Sequence, residues 1–138
     1  MINGQPVMKK SYIWMERGIS RSYPARNFTA NKQLNRLRDV FRDQGVDAEW
    51  VKRALLDPAG RGLFGEFTEI SINGNTVTLT PTDISWDDPE NFIEMDRNVL
   101  LGLTNDWQEL VRAKAPEIFI YEKNGELFVS DTLPEGME

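Results

Sequence analysis

The spacing of apolar residues changes repeatedly along this chain, and each change predicts an element. Lys10 to Met15 (KSYIWM) is a compact apolar and aromatic run, as expected of a strand buried on both faces. Gly18 to Asn27 reads as a long connection. Beyond Thr29, which can cap a helix, Leu34, Leu37, Val40 and Phe41 recur at helical spacing until Gly45. A shorter helix follows, with Asp47 as its cap. Trp50, Val51, Ala54 and Leu55 form its apolar face, and Asp57-Pro58-Ala59-Gly60 stops it.

The rhythm then shortens to two residues. Glu66–Ile72 and Thr76–Thr80 flank Ile72-Asn73-Gly74-Asn75, where Asn-Gly tolerates the positive φ of a tight hairpin turn. Val77 and Leu79 face the core in this reading, and Pro81 ends the second strand. Pro89 suits a first helical turn, with Phe92, Ile93, Val99, Leu100 and Leu103 as the stripe behind it. Another helix begins near Thr104 or Asn105 and carries Trp107, Leu110 and Val111 to Pro116. Finally Ile118–Tyr121 and Leu127–Val129 flank Lys123-Asn124-Gly125-Glu126, a second Asn-Gly hairpin.

The order β-αα-ββ-αα-ββ predicts an α+β fold: one mainly antiparallel sheet of about five strands, with helices packed on one face. At 138 residues one domain is expected, spanning 1–138 with short flexible ends at about 1–6 and 132–138. Trp14, Trp50 and Trp107 fall on predicted core faces, whereas Trp86 stands beside aspartates.

Composition removes whole classes of chemistry. With no cysteine there is no disulfide, thiolate metal site or cysteine nucleophile, and with no histidine there is no Ser-His-Asp triad or imidazole ligand. No apolar run reaches the length of a membrane span, and Met1–Pro6 has no signal pattern, so a cytoplasmic protein without membrane partners is expected.

Gly60-Arg61-Gly62-Leu63-Phe64-Gly65 matches G-x-G-x-x-G, the fingerprint of dinucleotide-binding loops. That loop works only when a strand enters it and a helix leaves it, since the helix N-terminus meets the pyrophosphate. Here a helix precedes and a strand follows. The glycines are expected to turn the chain, and no nucleotide cofactor is expected.

Charge is distributed unevenly. Residues 1–65 carry 12 Lys and Arg against 6 Asp and Glu, a balance of +6. Residues 66–138 carry 4 against 16, a balance of −12, giving the chain its net −6. Such asymmetry suggests a charged partner. The acidic pole is Asp83–Asp96, with six carboxylates and Trp86 in 14 residues. Asp87 or Asp88 can cap a helix there while Glu90 and Glu94 favour its positive end. The same residues could instead bind a basic protein or form a carboxylate pair for hydrolysis. No calcium-loop spacing is present, and no metal is expected. The basic pole, with Arg21, Arg26, Arg36, Arg38 and Arg42 interleaved with Tyr23 and Phe28, has the composition of a nucleic-acid contact. Against this, Asp39 and Asp43 alternate with Arg38 and Arg42, as on an ordinary solvated helix face.

The run Asp106-Trp107-Gln108-Glu109-Leu110-Val111-Arg112-Ala113-Lys114, followed by the strand pair IFIYEKNGELFVS, resembles the closing segment of immunity proteins of bacterial contact-dependent growth inhibition systems. It covers about 25 residues and carries over no functional residue. The resemblance implies a cytoplasmic protein that binds and neutralises a toxin domain. The expected function is therefore a non-enzymatic protein-binding module, an immunity protein or inhibitor of a basic toxin. Its expected contacts are Trp86, Asp87, Asp88, Glu90 and Glu94. A nucleic-acid accessory protein using the arginines is the alternative, and a carboxylate-dependent hydrolase comes third.

Overall fold

A computed structural model describes residues 9–19, 22–43, 48–65, 68–82 and 92–137. Along the chain these form β1 (Lys9–Lys10), β2 (Tyr12–Glu16), β3 (Phe28–Thr29), α1 (Lys32–Asp43), α2 (Glu49–Leu56), β4 (Leu63–Phe64), β5 (Thr68–Asn73), β6 (Thr76–Pro81), β7 (Ile93–Asp96), α3 (Arg97–Arg112), β8 (Glu117–Lys123) and β9 (Glu126–Ser130). The fold is α+β. Among the described residues the strands divide into an antiparallel sheet of order β2-β8-β9, a second antiparallel sheet of order β4-β5-β6-β7, and a short parallel pair, β1 with β3. The expected single sheet is thus two, and α1 is not confined to one outer face. It touches β2 and β8 of one sheet and β5, β6 and β7 of the other.

Helix α1 forms where the sequence places it because Leu34, Leu37, Val40 and Phe41 share one buried face. Its cap differs from expectation. The Leu34 N–H donates to Asn31 Oδ1 at 3.1 Å, so Asn31 rather than Thr29 closes the first turn. Thr29 acts one step earlier, its hydroxyl accepting from the Asn31 N–H. The expected stop at Gly45 and cap at Asp47 lie outside the described residues. In α2, Val51, Ala54 and Leu55 are buried, but Trp50 is 59% exposed. An eight-residue helix with five large or aliphatic apolar residues has more of them than one face can bury, and Trp50 and Leu56 are left outside.

Both hairpins form. Asn124 and Gly125 have φ of 55° and 82°, the double left-handed turn that Asn-Gly favours. In the other hairpin Asn73 pairs with Thr76, so Gly74 and Asn75 are the loop residues and Gly74, at φ 62°, occupies its first position. The turn is one residue later than the sequence suggested. Val77 and Leu79 are buried as expected, opposite Ile72 and Ile70.

The largest departure lies before α3. In place of a helix begun at Pro89, which is outside the described residues, Ile93–Asp96 is a strand paired with β6, and one helix then covers 97–112. Ile93-Glu94-Met95-Asp96 alternates with period two inside a longer stripe that also fits helical spacing. Pairing decides the outcome, since the strand sets Met95 opposite Val77 in the core. Asp96 then caps α3, accepting from the Asn98 N–H at 2.8 Å.

One core unites the elements. Trp107 of α3, 1% exposed, stacks on Phe41 of α1 at 4.8 Å and meets Tyr23 edge-on at 5.5 Å. The Tyr23 hydroxyl donates to the Ala115 carbonyl at 2.6 Å, tying the connection before β3 to the end of α3. Trp14, expected in the core, is instead half-buried on the other face of its sheet. There, by register, it joins Tyr12, Phe119, Tyr121 and Phe128.

Arg97 is the joint of the second sheet. Its Nε donates to the Leu55 carbonyl and Nη2 to the Asp57 carbonyl, both at 2.7 Å, and Nη1 donates to the Gly74 carbonyl at 3.2 Å. The first residue of α3 thereby holds the C-terminal end of α2 and the β5–β6 turn together. Charged donors suit the unpaired carbonyls of a helix end.

Candidate partner-binding groove

The GRGLFG segment takes the geometry of a helix-to-strand connection. Gly60 and Gly62 have φ of 63° and 78°, and Leu63–Phe64 is a strand paired with β5. A Cβ on Gly62 would lie 2.3 Å from the Ile70 carbonyl oxygen, so close backbone approach explains that glycine.

The arginines of α1 are engaged by one carboxylate. Asp39, 5% exposed, receives Arg36 Nη2 at 3.1 Å, Arg38 Nη2 at 3.3 Å and Arg42 Nη2 at 3.8 Å. Arg26 pairs with Glu16 at 3.0 Å. Arg21 lies outside the described residues. A phosphate contact needs cations that are free to turn outward, and four of the five candidate arginines already hold a carboxylate.

Of the acidic candidates, Trp86, Asp87, Asp88 and Glu90 lie outside the described residues. Glu94 does not: it is exposed on β7, the outermost strand of the four-stranded sheet among the described residues. It borders a groove of about 530 Å³. One wall is α3, whose Asn98, Val99, Gly102, Leu103 and Asp106 recur at helical spacing. The other walls are Glu94 and Met95 of β7 and the β9 hairpin from Gly125 to Phe128, and Gln33 of α1 also lines it. Val99, 44% exposed, Leu103, Leu127 and Phe128 give the groove its apolar character. Glu94, Asp106 and Glu126 surround it with negative charge.

These carboxylates stand without compensation. Among the described residues no ion pair reaches Glu94, Asp106 or Glu126, and the nearby Arg97 guanidinium is already committed to three carbonyls. The Asp106 carboxyl is consequently held above the usual aspartate range, first by loss of hydration and then by the negative charge of Glu109 one turn away. No group of three or more carboxylates among the described residues is placed to hold a metal ion. What the arrangement can do is receive a cationic, partly apolar surface.

Two features escaped the sequence reading. The groove itself depends on β7 and β9 ending up as edge strands beside one helix, which is a matter of topology. A second exposed cluster, Trp50 with the Arg53 guanidinium 5.2 Å from its ring centroid, was foreshadowed by the excess of apolar residues in α2.

No protein-family model matches this chain, and no curated protein or solved structure gives a significant match. No helix among the described residues is long and apolar enough to cross a membrane.

Proposed function

We propose that this chain is a non-enzymatic protein-binding module, an immunity protein or inhibitor that neutralises a basic toxin or effector domain in the bacterial cytoplasm by direct contact. The observation that carries the reading is the groove along α3, apolar within and bordered by carboxylates that no cation among the described residues pairs with. Like charges left unpaired beside an apolar hollow disfavour the free protein slightly and are relieved when a cationic partner arrives. The acidic run Asp83–Asp96 leads directly into β7, so Trp86, Asp87, Asp88 and Glu90 join Glu94 as proposed contacts by chain continuity. The resemblance of 106–130 to growth-inhibition immunity proteins supports the same function, since it covers α3 from Asp106 and the β8–β9 hairpin.

The product of the adjacent reading frame is the partner to test, by growth of a host expressing it with and without this chain and by titration of the purified pair. Rescue of growth with sub-micromolar association is expected. Trp86→Ala should cost about 2 kcal/mol of that binding, chiefly as faster dissociation, because interface energy concentrates in aromatic anchors. The absence of both rescue and association would reject the reading. Sub-micromolar binding of oligonucleotides with a steep salt dependence would redirect it to the arginines.

A further inference from the structure

The groove has a backbone as well as a charge. The β5–β6 turn has two loop residues, so Asn73 and Thr76 form its closing hydrogen-bonded pair. From that phase, Thr76, Thr78 and Thr80 bond towards β5, while Val77 and Leu79 bond towards β7 through Met95 and Ile93. The Arg97 N–H, donating to the Asn75 carbonyl at 2.7 Å, continues the same alternation. The N–H and C=O of Glu94 therefore point away from the sheet, on the side of β7 that has no neighbouring strand among the described residues. Identical reasoning from the Lys123 and Glu126 pair turns the N–H and C=O of Leu127 outward from β9. Glu94 and Leu127 both line the groove, so a free strand edge contributes to each of its strand walls.

The helical wall is correspondingly bare. Gly102 sits in the middle of α3, where glycine is the poorest residue after proline, and a Cβ placed on it would meet nothing within 4 Å. No packing neighbour among the described residues explains it. Its absent side chain leaves open space facing the groove, as close approach by another backbone would require.

We infer that the partner enters this groove as an extended, lysine- or arginine-bearing segment that pairs with the free edge of β7 and passes over Gly102. The inference rests on the reading of the chain as a binder of a basic protein, and it names the binding mode. Main-chain hydrogen bonds to the Glu94 N–H and C=O supply affinity, as in strand addition generally. Apolar side chains of the segment alternate towards Val99 and Leu103, and its cations meet Glu94, Asp106 and Glu126. Open strand edges invite such pairing, and the surrounding carboxylates select against acidic or neutral strands.

The probe is a capped peptide of alternating lysine and valine, seven residues long. It is titrated into the full chain by calorimetry, beside the same peptide N-methylated at every second residue and an alternating glutamate and valine peptide. Saturable binding of the lysine peptide is expected, with at least a tenfold loss on N-methylation and none detectable for the glutamate peptide. Glu94→Pro is the decisive variant. The N–H it removes faces outward, so the β6 ladder is kept while an added strand is blocked. It should weaken binding at least tenfold more than Glu94→Gln, which removes only the charge, with unfolding midpoints showing that both variants fold. Equal affinities for the methylated and unmethylated peptides, or for Glu94→Pro and Glu94→Gln, would overturn strand addition and leave the basic-partner reading intact. Failure of the lysine peptide to bind at all would overturn strand addition, and equal binding of the glutamate peptide would count against both.

Discussion

Helices α1 and α3 both carry charged residues on a face that is not core, and they treat them in opposite ways. On α1 three arginines close around Asp39, itself 5% exposed, so each guanidinium of that cluster has an anion beside it, although the one carboxylate is shared among all three. On α3, Asp106 and Glu109 face each other one turn apart and the helix's first cation is bound to carbonyls elsewhere. One helix gathers its arginines around an anion; the other leaves two anions side by side. Net charge alone would have favoured neither as the interaction surface. The two helices differ less in how much charge they carry than in whether an opposite charge within the fold stands beside it.

The most damaging way to break the comparison is Asp39→Asn. Removing the anion leaves guanidinium groups crowded on a largely buried face, where an uncompensated charge is costly, and the expected loss is about 3 kcal/mol of folding stability. Asp106→Asn, the same chemical change on α3, should lose nothing. Urea midpoints of the two variants measure both, and the contrast fails if Asp39→Asn costs under about 1 kcal/mol or if the two variants match.

A smaller effect of opposite sign is expected at Gly102. In an exposed helix interior, Gly→Ala gains about 1 kcal/mol of stability when nothing obstructs the new methyl, and here nothing stands within 4 Å. A more stable Gly102→Ala protein that binds its partner less well would mean that the bare patch of α3 is kept for contact at the expense of stability. No change in melting temperature would remove that argument.

Much of this arrangement could be read in the sequence, and the rest could not for identifiable reasons. Leu34, Leu37, Val40 and Phe41 identified the buried face of α1, and Val77 and Leu79 the inner face of β6, because a single periodicity acts there without competition. Asn124-Gly125 located its turn for the same reason. Ile93–Asp96 reads as helix in the sequence because four alternating residues sit within a stripe compatible with 3.6 spacing, and only pairing with β6 separates the two. Trp14 and Trp50 were assigned to the core from hydrophobicity, yet side chains with a polar tip and large area are rarely buried whole. In the sequence Glu94 stands out as one of the six carboxylates of Asp83–Asp96. Its position on the outermost described strand follows from the order β4-β5-β6-β7, which local pattern does not specify. The pairing of Arg36, Arg38 and Arg42 with Asp39 is partly legible, since Asp39 stands three residues from two of them and beside the third.

The smallest expected effect is the dependence of stability on pH that Asp106 contributes. Its carboxyl binds a proton more tightly in the folded chain than in the unfolded one, because burial and Glu109 both disfavour the charged form. Between the ordinary aspartate range and the raised value, the folded state therefore holds more protons than the unfolded state, and stability must fall as pH rises through that window. This is opposite in sign to Asp57, whose carboxyl is held below its usual range by its hydrogen bond from Arg61 and which favours folding once ionised. Asp106→Asn removes the first contribution and leaves the second. The wild type minus variant difference in unfolding free energy should thus decline with rising pH across the acidic range and become flat above it. A bound cationic partner should abolish that decline by supplying the counter-charge that the fold omits. A difference that rises with pH would mean that Asp106 is already paired in solution, and α3 would then be as self-contained as α1.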